Sequence, residues 1–176
     1  MDGFSLKRVT AEFYDSIASY RREMIESKSS FDGTSNLDKY NDIEKWHLNV
    51  LLFERPETLP PGYSLAFEYV FLHDNEVVGM ANIRPDAMNH PYLKRFGGHI
   101  GYSVRPSRRM TGIGTLMLKY VLEVCKNEFH MEKVMITCLE DNEGSRRIIM
   151  NNGGVFENKI LYPPEDKMIE RYWITL

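Results

Sequence analysis

The chain has 176 residues, with 22 Lys and Arg against 25 Asp and Glu, and 43 % hydrophobic residues. At about 100–200 residues per domain, that length predicts a single domain over residues 1–176 with one core, and the composition excludes disordered, collagen-like and disulfide-stapled classes. A net charge of −3, with Lys and Arg scattered among carboxylates, argues against a nucleic-acid partner.

No apolar run approaches the roughly 20 residues of a membrane span. Met1 to Leu6 lacks the basic-then-apolar character of a signal peptide, so a cytoplasmic protein without a membrane partner is expected. Cys125 and Cys138 are widely spaced and read as buried, reduced thiols. The histidines His47, His73, His90, His99 and His130 show no zinc spacing, so no metal is expected.

An opening strand leads into a helix that Thr10 can cap, carrying Phe13, Ile17, Tyr20 and Met24 at helical spacing. Ser29 to Asn36 reads as a loop. Asn41 to Phe53 reads as a second helix with Ile43, Trp46, Val50 and Leu51 on one side. Pro56, Pro60, Pro61 and Gly62 then separate this helical third from a strand-rich middle. Ser64 to Leu72 and Val77 to Ile83 form a predicted hairpin around His73 to Glu76. Pro85 to Arg95 is irregular, and His99 to Val104 is a strand. Gly112 to Phe129 is a helix carrying Leu116, Met117, Tyr120, Val121 and Val124. A strand at Lys133 to Leu139, a helix at Glu143 to Met150, and strands near Gly154 to Asn158 and Met168 to Thr175 complete an α/β (α+β) sandwich with helices on both faces of the sheet.

Val104 to Thr115 places a strand, a glycine-containing loop and a helix start in succession. The first N–H groups of a helix lack internal partners, and its dipole is positive there, so such a junction cradles an anion. Gly112 and Gly114 let the backbone approach phosphate oxygens. A dinucleotide fingerprint would need glycine where Met117 stands, and no P-loop pattern occurs.

Arg109-Met110-Thr111-Gly112-Ile113-Gly114 fits the pattern Gln/Arg-x-x-Gly-x-Gly/Ala. It follows Val104-Arg105-Pro106 and precedes Asn142-Glu143-Gly144-Ser145 and Gly153-Gly154. In this order the segment Val77 to Phe156 resembles the GNAT N-acetyltransferase superfamily. The resemblance implies a three-layer sandwich around a mixed sheet of about seven strands, splayed in its middle. It also implies acetyl-CoA as cosubstrate. Arg109, Met110, Thr111, Gly112, Ile113, Gly114 and Thr115 would hold the pyrophosphate, with Arg105 and Arg108 as further cationic help. Tyr102, Ser103 and Val104 would border the pantetheine arm, and Asn142 and Ser145 would contact it from the other side.

Acetyl transfer needs a deprotonated amine, a stabilised oxyanion and a leaving thiolate. The backbone N–H of Val104 is the expected oxyanion donor. His99 stands where relatives carry glutamate, and it and Glu68 are the candidate bases. Ile149 stands where relatives carry the acidic tyrosine, which leaves Tyr102 or Tyr172 as replacements. The expected acceptor is a primary amine of a small molecule or peptide, and the choice among amino acid, polyamine, aminoglycoside-like antibiotic, protein N-terminus and lysine stays open. So do a non-catalytic acyl-CoA-binding sensor or interaction domain of the same fold and a homodimer through Arg171 to Ile174.

Overall fold

The structure, a computed structural model, describes residues 3–176. In chain order it comprises β1 (Phe4–Arg8), α1 (Tyr14–Glu26), α2 (Ile43–Leu52), β2 (Phe67–His73), β3 (Glu76–Ile83), β4 (Ile100–Val104), α3 (Ile113–Asn127), β5 (Lys133–Leu139), α4 (Glu143–Asn151), β6 (Val155–Tyr162) and β7 (Lys167–Thr175). The element order is the one the periodicity predicts, with small differences that have local causes. Thr10 lies at the start of a 3-10 turn over Ala11–Phe13, and its hydroxyl donates to the Glu12 carboxylate (3.0 Å), so it caps no backbone N–H. Asp42 does cap α2, accepting from Lys45 N (3.2 Å). Leu51 is exposed, leaving Ile43, Trp46 and Val50 as the buried stripe. Pro85 to Arg95 is not wholly irregular, since it holds a 3-10 turn at Ala87–Asn89 and the start of a π-helical turn at Leu93–Gly97.

The seven strands form two sheets, β1-β2-β3-β4 and β5-β7-β6, in which every hydrogen-bonded pair is antiparallel. The β2–β3 hairpin turns at Asp74 and Asn75, both left-handed (φ 49° and 66°), a turn whose twist matches that of the strands. Strand alternation splits β2 between two cores. Val70 and Leu72 face α1 and α2 with Ile17, Tyr20, Met24 and Trp46. Tyr69 and Phe71 face α3 with Met117, Leu118, Val121 and Cys125. Helices thus cover both faces, as in the expected sandwich. β7 is the central strand of its sheet, so Tyr172 and Ile174 complete the core and β6 is the free edge. Among the described residues, no helix is long and apolar enough to cross a membrane.

The two sheets are clipped together by hydrogen bonds at His99. His99 N–H donates to Met135 O (2.8 Å), and Met135 N–H donates to His99 Nδ1 (2.7 Å), so a single histidine satisfies both polar groups of Met135. Gly98 makes this approach feasible: it has φ +64°, and a Cβ there would lie 2.5 Å from Met135 O. Beyond this clip, β4 and β5 both run into the walls of one cleft.

Candidate active site

The cleft has a volume of about 1160 Å³ and runs from the start of α3, between β4 and β5, to a chamber walled by Asp32, Arg84, Tyr92, Phe96 and Tyr162. At the α3 end the chain turns through two left-handed residues, Met110 (φ 60°) and Gly112 (φ 84°). The Met110 side chain is 91 % exposed and leaves the cleft side to the backbone. The first N–H of this segment with a backbone partner is Leu116, bonded to Gly112 O (3.1 Å), which leaves the amides of Gly112 to Thr115 without one. The two glycines serve different ends. A Cβ at Gly112 would meet nothing within 4 Å, so its requirement is the positive φ. A Cβ at Gly114 would lie 2.5 Å from Ile148 Cδ1, so this glycine lets α3 pack against α4.

The three arginines of this loop are engaged by protein. Arg109 Nε donates to Val104 O (3.0 Å) and so terminates β4 on its own carbonyl. Arg105, 4 % exposed, pairs with Glu23 (2.6 Å) and Glu76 (2.5 Å) and donates to Ser19 Oγ (2.6 Å). Arg108 pairs with Glu76 (2.6 Å). The cationic help expected of Arg105 and Arg108 is therefore corrected: their charges are neutralised by carboxylates, and the donors left at this end are the backbone amides and the exposed Arg109 guanidinium, which forms no salt bridge among the described residues.

In the splay, the hydrogen bonds Arg84 N to His99 O (2.8 Å) and Arg105 N to Val78 O (2.9 Å) set the alternation of β4 against β3. In an antiparallel ladder successive residues point their polar groups to opposite sides, so the N–H groups of Tyr102 and Val104 face the splay. Tyr102 spans it: its hydroxyl lies 2.8 Å from Ser145 Oγ in the first turn of α4. Burial raises the Tyr102 pKa, which keeps the phenol protonated. Asn142 Oδ1 accepts from Ser145 N (3.0 Å), capping α4 and aligning its N-terminus with the cleft. Ser103 borders the cleft, but its hydroxyl donates to Asp32 O (2.6 Å) and accepts from Tyr20 OH (2.8 Å), which ties the loop before α2 onto β4.

The acetyltransferase (GNAT) family model matches residues 23–152. This chain belongs to the GNAT acetyltransferase family. No curated protein sequence matches it, but solved structures share its fold. It is similar to the RimL ribosomal L7/L12 alpha-N-protein acetyltransferase in complex with coenzyme A, with 17 % identity, TM-score 0.70, and coverage of 100 % of this chain and 96 % of that one. It is similar to the microcin C7 self-immunity acetyltransferase MccE in complex with acetyl-CoA and AMP, with 13 % identity, TM-score 0.74 and coverage of 100 % and 94 %. The ribosomal-protein-S5-alanine acetyltransferase from Vibrio fischeri is likewise similar, with 13 % identity, TM-score 0.72 and coverage of 99 % and 94 %.

For this GNAT chain, three expected catalytic side chains lie off the cleft wall. The His99 Nδ1 lone pair is occupied by Met135 N–H, so the ring proton resides on Nε2, and burial lowers its pKa to about 4. The ring has no lone pair left for an amine, and the base role expected of it is revised to that of an inter-sheet clip. Glu68, 0 % exposed, accepts from Ser35 Oγ (2.6 Å) and Asn82 Nδ2 (3.1 Å) beneath the loop before α2, and it too is removed from the base candidates. Tyr172 OH donates to Glu170 (2.7 Å) inside the second sheet, which leaves Tyr102 as the phenol in the splay. Cys138 also borders the cleft, and burial raises its pKa to about 11, so it stands there as a neutral thiol. Sequence reasoning missed Arg84, which lies in the chamber wall; its only signal was its place one residue past a predicted strand.

Proposed function

We propose that this single domain, residues 1–176, moves an acetyl group directly from acetyl-CoA to a primary amine of a small molecule or peptide. The observation that carries this reading is the continuity of one cleft from the unpaired amides of α3, through the splay, to the chamber at Arg84 and Tyr92. Bound acetyl-CoA supplies the activated thioester. The amides of Gly112 to Thr115 would bind its pyrophosphate by backbone donors and helix dipole, beside the Arg109 guanidinium, which forms no salt bridge among the described residues. Val104 N–H, held toward the splay by the Arg109 bond to its own residue's carbonyl, would donate to the developing oxyanion.

Tyr102 would reprotonate the leaving sulfur, its hydroxyl held by Ser145 and its proton retained by burial. With His99 and Glu68 off the cleft, the ammonium would lose its proton to water in the chamber, where Asp32 is exposed. Two of the similar structures are acetyltransferases of ribosomal proteins, which makes peptide amines part of the acceptor class to test.

Thiol release from acetyl-CoA with a panel of amines tests the reading. Turnover is expected, and Tyr102→Phe should lower kcat about 100-fold while leaving CoA affinity in place. Tight CoA binding with no release across a broad panel would instead favour an acyl-CoA-binding module.

A further inference from the structure

The chamber contains one cation that no carboxylate neutralises. Arg84 follows β3, on the sheet face shared by Asn82 and, across the ladder, Glu68. Its Nη2 donates to Gly97 O (3.0 Å), while its Nε is buried with no hydrogen-bond partner. Among the described residues it forms no salt bridge. Several other arginines of low exposure do pair with carboxylates, Arg105 with Glu23 and Glu76, Arg146 with Glu170, and Arg171 with Glu157, while Arg21 is held by two carbonyls and the Asn41 amide oxygen. Lys167, also in the cleft wall, pairs with Asp141 (3.5 Å) and Glu165 (3.8 Å).

Glu68 does not supply the missing charge. Its Oε2 is held by Ser35 and Asn82, and burial raises its pKa to about 8, so it is largely protonated at neutral pH. Burial lowers Arg84 only to about 10, so the guanidinium remains cationic. A partly buried charge without a counterion is costly, and a ligand anion in the cleft removes that cost. A Cβ at Gly101 would lie 3.1 Å from Gly33 N and 3.3 Å from Arg84 Nη2, so glycine here lets the Gly33 loop and the guanidinium both pack against β4 in the cleft wall.

We propose that Arg84 binds a carboxylate carried by the acceptor itself, making the substrate an amino acid or a very short peptide with a free carboxylate near its amine. This rests on the acetyl-transfer reading above. A guanidinium engages a carboxylate through paired N–H···O bonds that an ammonium cannot reproduce. Gly101, beside Arg84, and Val104, the oxyanion donor, are three residues apart on β4, about 10 Å at about 3.3 Å per residue, so the guanidinium and the acetyl site lie along one strand within reach of a short acceptor. Asp32, oriented by Ser30 Oγ (2.7 Å), lines the same chamber and offers the opposite charge to the ammonium.

The test compares amino acids with their carboxamides as acceptors, in the full chain with acetyl-CoA. The acid is expected to be preferred about 100-fold in kcat/KM, with the preference abolished in Arg84→Met, partly kept in Arg84→Lys, and CoA affinity retained in both. Equal use of acid and amide by the wild-type chain would overturn the proposal, as would equal loss on both acceptors in Arg84→Met. Absence of thiol release with every amine would defeat the transfer reading instead. In that case, calorimetric titration of the CoA-loaded chain with N-acetylated amino acids and their amides decides: acid-selective binding lost in Arg84→Met upholds the carboxylate site, and no such selectivity overturns it.

Discussion

At one end of the cleft a single uninterrupted segment, Arg109 to Thr115, supplies the turn, the free amides and the helix dipole. At the other, Asp32, Arg84, Tyr92, Phe96 and Tyr162 arrive from separate parts of the chain. The first end presents backbone groups, which any sequence with the right torsions offers. The second works through side chains, and its chemistry depends on which carboxylates the fold allots to which cations. Arg84 is allotted none: it donates to Gly97 O and forms no salt bridge among the described residues.

The largest expected effect tests whether the backbone end is as self-contained as its sequence suggests. Arg105→Met leaves Glu23 without its buried partner while Glu76 keeps Arg108, and should lower unfolding free energy by about 2–3 kcal/mol, read by urea denaturation. A loss under about 1 kcal/mol would mean that the loop stands without its tie to α1 and β3. Next comes the clip between the sheets. His99→Leu orphans the buried Met135 N–H and should cost about 1–3 kcal/mol, with amide hydrogen exchange rising first at β4 and β5.

Gly112→Val probes the backbone end alone. The left-handed φ of +84° costs a side chain about 1–2 kcal/mol, a fall of a few degrees in melting temperature, and CoA affinity measured by calorimetry should fall about tenfold or more. If affinity is unchanged, the amides of this loop do not bind the cofactor.

Titration separates the two regions further. Glu68, raised from 4.5 to about 8, binds its proton more tightly when folded, so its contribution to stability is full at low pH and is lost as pH rises through about 8. His99, lowered from 6.5 to about 4, has the opposite sign: its contribution is full above 6.5 and is lost as pH falls toward 4. His47, also lowered by burial, adds to the histidine side. The two main slopes oppose each other between 4.5 and 6.5, and Glu68 alone acts between 6.5 and 8, where stability should fall by up to about 1.4 kcal/mol per pH unit. Glu68→Gln should flatten that fall in denaturation curves taken across the range; an unchanged fall would assign it to another group. The smallest effect is expected from Asn142→Ala, which removes the α4 cap and should cost about 1 kcal/mol, measurable as a few degrees in melting temperature.

Much of the architecture was legible because its signals are local. The stripe Phe13, Ile17, Tyr20 and Met24 follows the helical period, and all four residues are buried. The turn at Asp74-Asn75 uses residues that tolerate left-handed torsions. Arg109 to Gly114 could be read as a phosphate loop from its letters alone. His99 and Glu68 misled for one shared reason: each is a titratable side chain whose role is set by what is packed against it, Met135 in one case and Ser35 with Asn82 in the other, and both partners are remote in sequence.

The sequence by itself determined the order of strands and helices, the GNAT resemblance and the backbone cradle at the start of α3, since periodicity, torsional preference and unpaired helix amides are properties of contiguous residues. Only the tertiary structure decided that His99 joins the sheets, that Arg105 and Arg108 are neutralised, that Tyr102 spans the splay to Ser145, and that Arg84 faces the chamber without a counterion. The reason is physical: a side chain's charge and hydrogen-bonding capacity acquire their meaning from neighbours in space, and those neighbours are chosen by packing across the whole chain.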